Sequence, residues 1–211
     1  MKNKIILIFF LLSIMSTIVL AKPQNKTLQT IRETYEKITT IEADFSQSVT
    51  FDGFDTTANS NGKVYFKKGK MRWDYSAPTR QQIFVDGETL FHYTPENKQV
   101  LKSLLKKNTG LPLDLFFNIE KLEALFHITP LEKTVLLLKP KEKGSHIQQM
   151  RITLAPLPKL GGLFIKEIVL HEENGNQSQF QFKNYRINKT LSEEVLSFKI
   201  PEGVELIELH P

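Results

Sequence analysis

The chain has 211 residues, with 28 lysines and arginines against 23 acids, a formal charge of +5 and no cysteine. That balance is mild and the basic residues are scattered, so it makes no case for a nucleic-acid partner. The absence of cysteine excludes disulfides, thiol catalysis, cysteine-type zinc sites and a lipid-bearing cysteine behind a leader.

Residues 1–21 read as a secretory signal. "MKNK" is basic, an apolar run of about 16 residues follows from Ile5 to Leu20, and Val19 and Ala21 supply the small residues of a cleavage site. The run is shorter than the ~20 residues a membrane span requires. Cleavage after Ala21 is expected to leave residues 22–211 as one soluble, exported domain.

The mature chain opens with a helical pattern. In "TLQTIRETYEKIT", Leu28, Ile31, Tyr35 and Ile38 recur at helical spacing, with Thr27 as the expected cap. From Ile41 the period becomes two. Ile41, Ala43, Phe45, Gln47, Val49 and Phe51 share one face, and Glu42, Asp44, Ser46 and Ser48 the other.

Short strands with hairpin punctuation come next. "GKVYFKK" and "KMRWDYS" meet at Gly69, "RQQIFV" and "ETLFHY" meet at Asp86-Gly87, and "KQVLKS" follows. Gly110 and Pro112 interrupt this meander, and "LPLDLFF" leads into a helical "IEKLEALF". Strands resume with "TVLLLK", "HIQQMRITLA", "LFIKEIVLHE" and "QSQFQFKNYRI", and "LSFKIPEGVELIE" closes the chain. The expected fold is mainly β (α+β), with roughly ten to twelve antiparallel strands. A sheet of that size curls into an unclosed β-barrel, and the N-terminal and short central helices form a lid over a hydrophobic cavity.

Catalytic patterns are missing. There is no Gly-x-Ser-x-Gly elbow, phosphate-binding glycine loop or His-Glu-x-x-His, and the five histidines lack metal-ligand spacing. Glu42 and Asp44 read as a polar strand face rather than an acid/base pair. The apolar side chains say more. Met71, Trp73 and Tyr75 share a face opposite Arg72 and Asp74. In the next hairpin Ile83 and Val85 alternate with Phe84, and Phe91 and Tyr93 with Leu90 and His92. Rings on both faces are what a packed core or the wall of an apolar cavity would present.

From residue 28 to residue 209 the chain resembles the periplasmic lipoprotein carrier family, the LolA-like proteins. The resemblance is carried in order by "ADFSQSVTFDG", "GKVYFKKGKMRWDYSAP", "QIFVDGETLFHYTPENKQV", "TGLPLDLFF" and "FKIPEGVELI". It implies a periplasmic carrier that takes acylated lipoproteins from an inner-membrane ABC transporter, shields their acyl chains and passes them to an outer-membrane lipoprotein receptor. The same resemblance places Met71, Trp73 and Ile83 on the cavity wall and Leu113 and Phe116 on the lid helix. Strand alternation adds Phe66, Tyr75 and Phe84. A glutamate at Trp73 is expected to abolish acyl binding in a folded protein.

The family often has Lys-Arg-Pro before the aromatic strand, its arginine serving lid contacts or directional transfer. Here the segment is "KKGK", so either Lys68 or Arg72 takes that role, or the lid is held differently and the lysine is an exposed charge at a turn. A monomer without enzymatic activity, cofactor or metal is implied. The alternative from another class is a periplasmic module of the same fold that binds or senses a lipid or glycolipid.

Overall fold

The computed structural model describes residues 26–54, 56–104, 115, 119 and 122–209. The leader and the lid positions Leu113 and Phe116 lie outside the described residues.

The helical pattern forms α1, Lys26–Glu36, whose buried residues Leu28, Ile31 and Tyr35 lie on one side. Thr27 is inside the helix rather than capping it. Its hydroxyl donates to the Lys133 carbonyl at 3.1 Å, tying the helix start to a distant turn. The long alternating segment is β1, Thr40–Thr50, with Ile41, Ala43 and Phe45 buried as their period required. The meander continues as β2, Thr57–Lys67; β3, Lys70–Ala77; β4, Gln81–Asp86; β5, Thr89–Thr94; and β6, Gln99–Leu104. In the β4–β5 hairpin Asp86 pairs with Thr89, so the loop is Gly87-Glu88, one residue later than Asp86-Gly87. Gly87 takes φ +59, a conformation glycine adopts without cost.

The second half contains the helical turn α2, Leu122–Leu125, then β7, Phe126–Glu132; β8, Val135–Pro140; β9, Ile147–Leu157; β10, Gly162–Glu172; and β11, Gln177–Ile187. The sequence pattern did not predict β7, which contains Pro130, a residue that cannot donate to a ladder. β7 is an edge strand bonded only to β8, so that donor is not needed. After β11 come the short helix α3, Glu193–Leu196, and β12, Glu205–Glu208.

All described strands form one sheet in the order β12-β6-β5-β4-β3-β2-β1-β11-β10-β9-β8-β7. Its two edges, β12 and β7, do not pair, so the barrel is unclosed. The sheet is mixed rather than wholly antiparallel. β12 runs parallel to β6, with Glu205 opposite Gln99 and Glu208 opposite Lys102. A parallel neighbour requires a crossover, and residues 188–204 supply it by passing from β11 to the far edge.

One face of the sheet holds the main core. α1 lies across it and meets β10 where that strand parts from β11. The β10–β11 ladder ends at Glu167 opposite Gln181. Beyond that point two tyrosines bond to Ile165: the hydroxyl of Tyr35 on α1 accepts from its N–H at 3.3 Å, and Tyr185 on β11 donates to its carbonyl at 2.6 Å. Burial pushes both phenols well above their usual range, so they remain neutral hydrogen-bonding groups. Thr34 adds a third tie, accepting from the Leu163 N–H at 3.1 Å.

Close approach of helix and strand requires glycine at 162. A Cβ there would lie 1.9 Å from Thr34 Oγ1. Gly162→Ala is expected to lower stability by about 2 kcal/mol, because the helix must shift and lose the Tyr35 and Thr34 bonds. Urea unfolding measures this, and an unchanged midpoint would show that α1 has room to move.

Candidate functional site

The concave face is built around Trp73 on β3, which is wholly buried. Phe45 of β1 meets its ring at 4.8 Å, and Phe180 and Phe182 of β11 meet it at 5.8 and 5.9 Å, all edge-on. Its indole N–H donates to Met71 Sδ at 2.8 Å, which satisfies the one polar atom of the ring. Strand alternation puts Phe66, Met71 and Ile83 in the same cluster, and Tyr75 packs against its border.

The cover of this face comes from several segments. Leu28, Ile31, Tyr35 and Ile38 come from the α1 region, and Leu115, Ile119, Leu122 and Phe126 come from the central segment. Arg32 of α1 pairs with Glu123 of α2 at 2.9 Å, joining the two parts of the cover at the surface. The Arg32 Nε is buried without a partner, so this pair is not fully hydrogen-bonded.

Five of the expected wall residues, Phe66, Met71, Trp73, Tyr75 and Ile83, are thus brought together on one face. Phe84 is not among them. The pleat turns it to the convex face, where it meets Phe198 at 4.7 Å. Phe91 and Tyr93 from β5 meet the same ring at 5.3 and 5.9 Å. The second set of rings in the β4–β5 hairpin is therefore covered by the C-terminal crossover. The sequence signal for this was present, since "LSF" follows the last long strand, but pairing Phe198 with Phe84 needed the crossover path.

Full burial of Trp73 also corrects the expectation for Trp73→Glu. A carboxylate there would be buried without a partner, so the substitution acts on folding before it can report on binding.

Lys68 and Arg72 take different places. Lys68 is exposed at the β2–β3 turn. Arg72 points to the convex face, where its Nε donates to Asp74 Oδ1 at 2.7 Å and Nη1 to the Val195 carbonyl at 3.0 Å. Its guanidinium lies 4.9 Å from the centre of the Phe84 ring. Lys67 pairs with Glu193 beside it, and Lys70 stands 4.0 Å from the same carboxylate. Those lysines hold the Glu193 carboxyl below its usual range. Arg72 therefore fastens α3 and the crossover. Arg72→Ala is expected to cost about 2 kcal/mol and to speed amide exchange in β12, while exchange in α1 stays unchanged. Uniform acceleration across the sheet would mean that the crossover has no stability of its own to lose.

At one end the concave face becomes polar. A recess of about 390 Å³ opens there, lined by Gln47, Ser60, Tyr75, Thr79, Gln81 and His92, with Ile83 and Pro78. The Tyr75 hydroxyl donates to Gln47 Oε1 at 2.9 Å, and His92 Nε2 bonds Gln81 Oε1 at 2.8 Å. Burial lowers the His92 pKa from its ordinary 6.5. The unfolded imidazole takes its proton first. Stability is therefore full above pH ~6.5 and declines as pH falls through that value toward the lower folded-state pKa. Acidification from pH 7 to 5 is expected to destabilise the native protein more than His92→Gln. Parallel curves for the two in urea titrations would place the imidazole in contact with water.

Among the described residues no cluster of three or more His, Cys, Asp or Glu side chains has the geometry to hold a metal ion. No helix among them is long and apolar enough to cross a membrane.

An unclosed sheet with an apolar concave face beneath helices is the architecture of a carrier for apolar ligands. The chain belongs to the family of Outer membrane lipoprotein carrier protein LolA, whose model matches residues 36–199. Outer-membrane lipoprotein carrier proteins are among its relatives. One from Azotobacter vinelandii is 27% identical over 195 residues, covering 89% of this chain and 91% of that protein. Another from Coxiella burnetii is 28% identical over 177 residues, covering 80% and 81%. The fold is shared with a LolA superfamily protein from Nitrosomonas europaea at TM-score 0.52 and 10% identity, covering 82% of this chain and 97% of that one. A conserved protein from Thermus thermophilus shares it at TM-score 0.53 and 11% identity, covering 87% and 98%. The family is one of carriers rather than enzymes, and its working place is the periplasm.

Proposed function

We propose that residues 22–211, released from the leader by cleavage after Ala21, act in the periplasm as a carrier of outer-membrane lipoproteins. The chain receives its cargo from an inner-membrane ABC transporter, shields the acyl chains and gives them up to a lipoprotein receptor in the outer membrane. The observation that carries this reading is the wholly apolar wall of Phe66, Met71, Trp73 and Ile83 under a separate helical cover, in a chain of this family.

The physical task explains such a wall. Moving an acyl chain from a bilayer into water costs ~0.8 kcal/mol per methylene, about 12 kcal/mol for a sixteen-carbon chain. A carrier must replace most of that loss with apolar contact and still release its load. Broad rings and methionine suit the purpose, because they offer area without demanding one chain geometry. The rings fill the face themselves. Uptake then requires the α1 cover to move and the cluster to open. Its energetic cost keeps affinity between those of donor and acceptor.

The test is release of lipoproteins from energised inner-membrane vesicles of the same organism by the purified mature protein. ATP-dependent appearance of a soluble one-to-one complex is the expected result. Failure of release by a folded protein that still takes up a two-chain lipid would favour a lipid-binding or sensing role.

A further inference from the structure

We infer that the polar recess at the end of the concave face is a subsite for the uncharged linkage region of the cargo lipid, the glyceryl esters and the amide of a triacylated cysteine. This rests on the carrier reading above and adds to it which end of the cavity receives the head of the lipid, and with what selectivity.

The recess joins two environments. Tyr75 contributes a ring that meets Phe45 edge-on at 4.9 Å, and a hydroxyl that reaches Gln47. Ile83 belongs both to the apolar cluster and to the recess lining. A lipid whose chains replaced the cluster's own contacts would leave its linkage at this border.

The lining chemistry selects among headgroups. Gln47, Ser60, Tyr75, Thr79, Gln81 and His92 offer amides, hydroxyls and an imidazole, which meet ester and amide carbonyls as neutral hydrogen-bonding partners. No lysine, arginine, aspartate or glutamate is among the lining residues. Arg80 follows Thr79 in the chain but is exposed and outside the lining. A phosphate drawn into this recess would be desolvated with no cation to meet it, whereas carbonyls would exchange water for protein donors. At about 390 Å³ the recess is at the small end of ligand pockets, suited to a linkage rather than to three chains.

The experiment compares two lipids of matched acyl length on the mature protein: a synthetic N-palmitoyl-S-dipalmitoylglyceryl-cysteinyl peptide and dipalmitoylphosphatidylglycerol. Binding is followed through the fluorescence of Trp73. The lipopeptide is expected to bind at least about tenfold more tightly, and Tyr75→Phe and Gln47→Leu are each expected to weaken it about fivefold. The phospholipid affinity should move by less than about twofold in the same variants. Ser60→Ala serves as a milder third variant should either of these lower the melting temperature.

Equal affinity for the two lipids, or variants that leave lipopeptide binding unchanged, would overturn the assignment. Tight phospholipid binding that is lost on Arg80→Ala would place the phosphate at the mouth of the recess, where the linkage is assigned, and would also overturn it. The outcome separates from that of the carrier reading. Vesicle release with unselective lipid binding removes only the subsite, whereas failure of both lipopeptide binding and release removes the carrier function as well.

Discussion

The edge-on packing of Phe45, Phe180 and Phe182 around Trp73 is the contact on which the rest of the molecule depends. It brings β1, β3 and β11 into one apolar surface although β3 and β11 are not neighbours in the sheet. Such a meeting is achieved only if the sheet curves strongly between them. Curvature gives the sheet a concave side, and a sheet that does not close leaves that side open to water. The helical cover follows from this need. α1 is held by Tyr35 and Thr34, which reach main-chain groups freed where β10 leaves β11. The divergence of two strands and the seating of the cover are one arrangement.

Both faces of the sheet carry rings, and they are covered by different means. The concave face is covered by α1 and the central segment, which meet at the surface through the Arg32–Glu123 pair. The convex rings Phe84, Phe91 and Tyr93 are covered by Phe198, on a crossover that Arg72 holds by a backbone carbonyl. The two coverings differ in their anchoring. The crossover continues into β12, which adds main-chain bonds to β6 and becomes the sheet's edge in its place. The helical cover adds no strand to the sheet and so can move without breaking a ladder. That difference suits a molecule whose concave face alone must open.

Much of this was legible in the chain. The period of two in residues 41–51 placed Phe45 and Ala43 inward, and the alternation in "KMRWDYS" did the same for Met71 and Trp73. Side-chain direction along a strand is a local property, so these assignments hold whatever the partner strands. Phe84 shows where that reading stopped. It was assigned to the cavity wall together with Ile83, although neighbours on one strand point to opposite faces, and what lies over it depended on residues more than a hundred positions later. β7 was not predicted at all, and its Pro130 is tolerated because a missing donor costs a ladder nothing on an edge strand, edge status being a matter of sheet order.

The sequence by itself determined most of the elements, the alternation along the longer strands and the family, since these are written in short-range spacing and in motifs. Tertiary structure decided which apolar face is covered by helices and which by the crossover. It also decided that β12 is parallel to β6, and that Gln47, Tyr75, Gln81 and His92 share one recess. Those outcomes depend on strand order and sheet curvature, which are set by contacts between distant segments and leave no periodic mark along the chain.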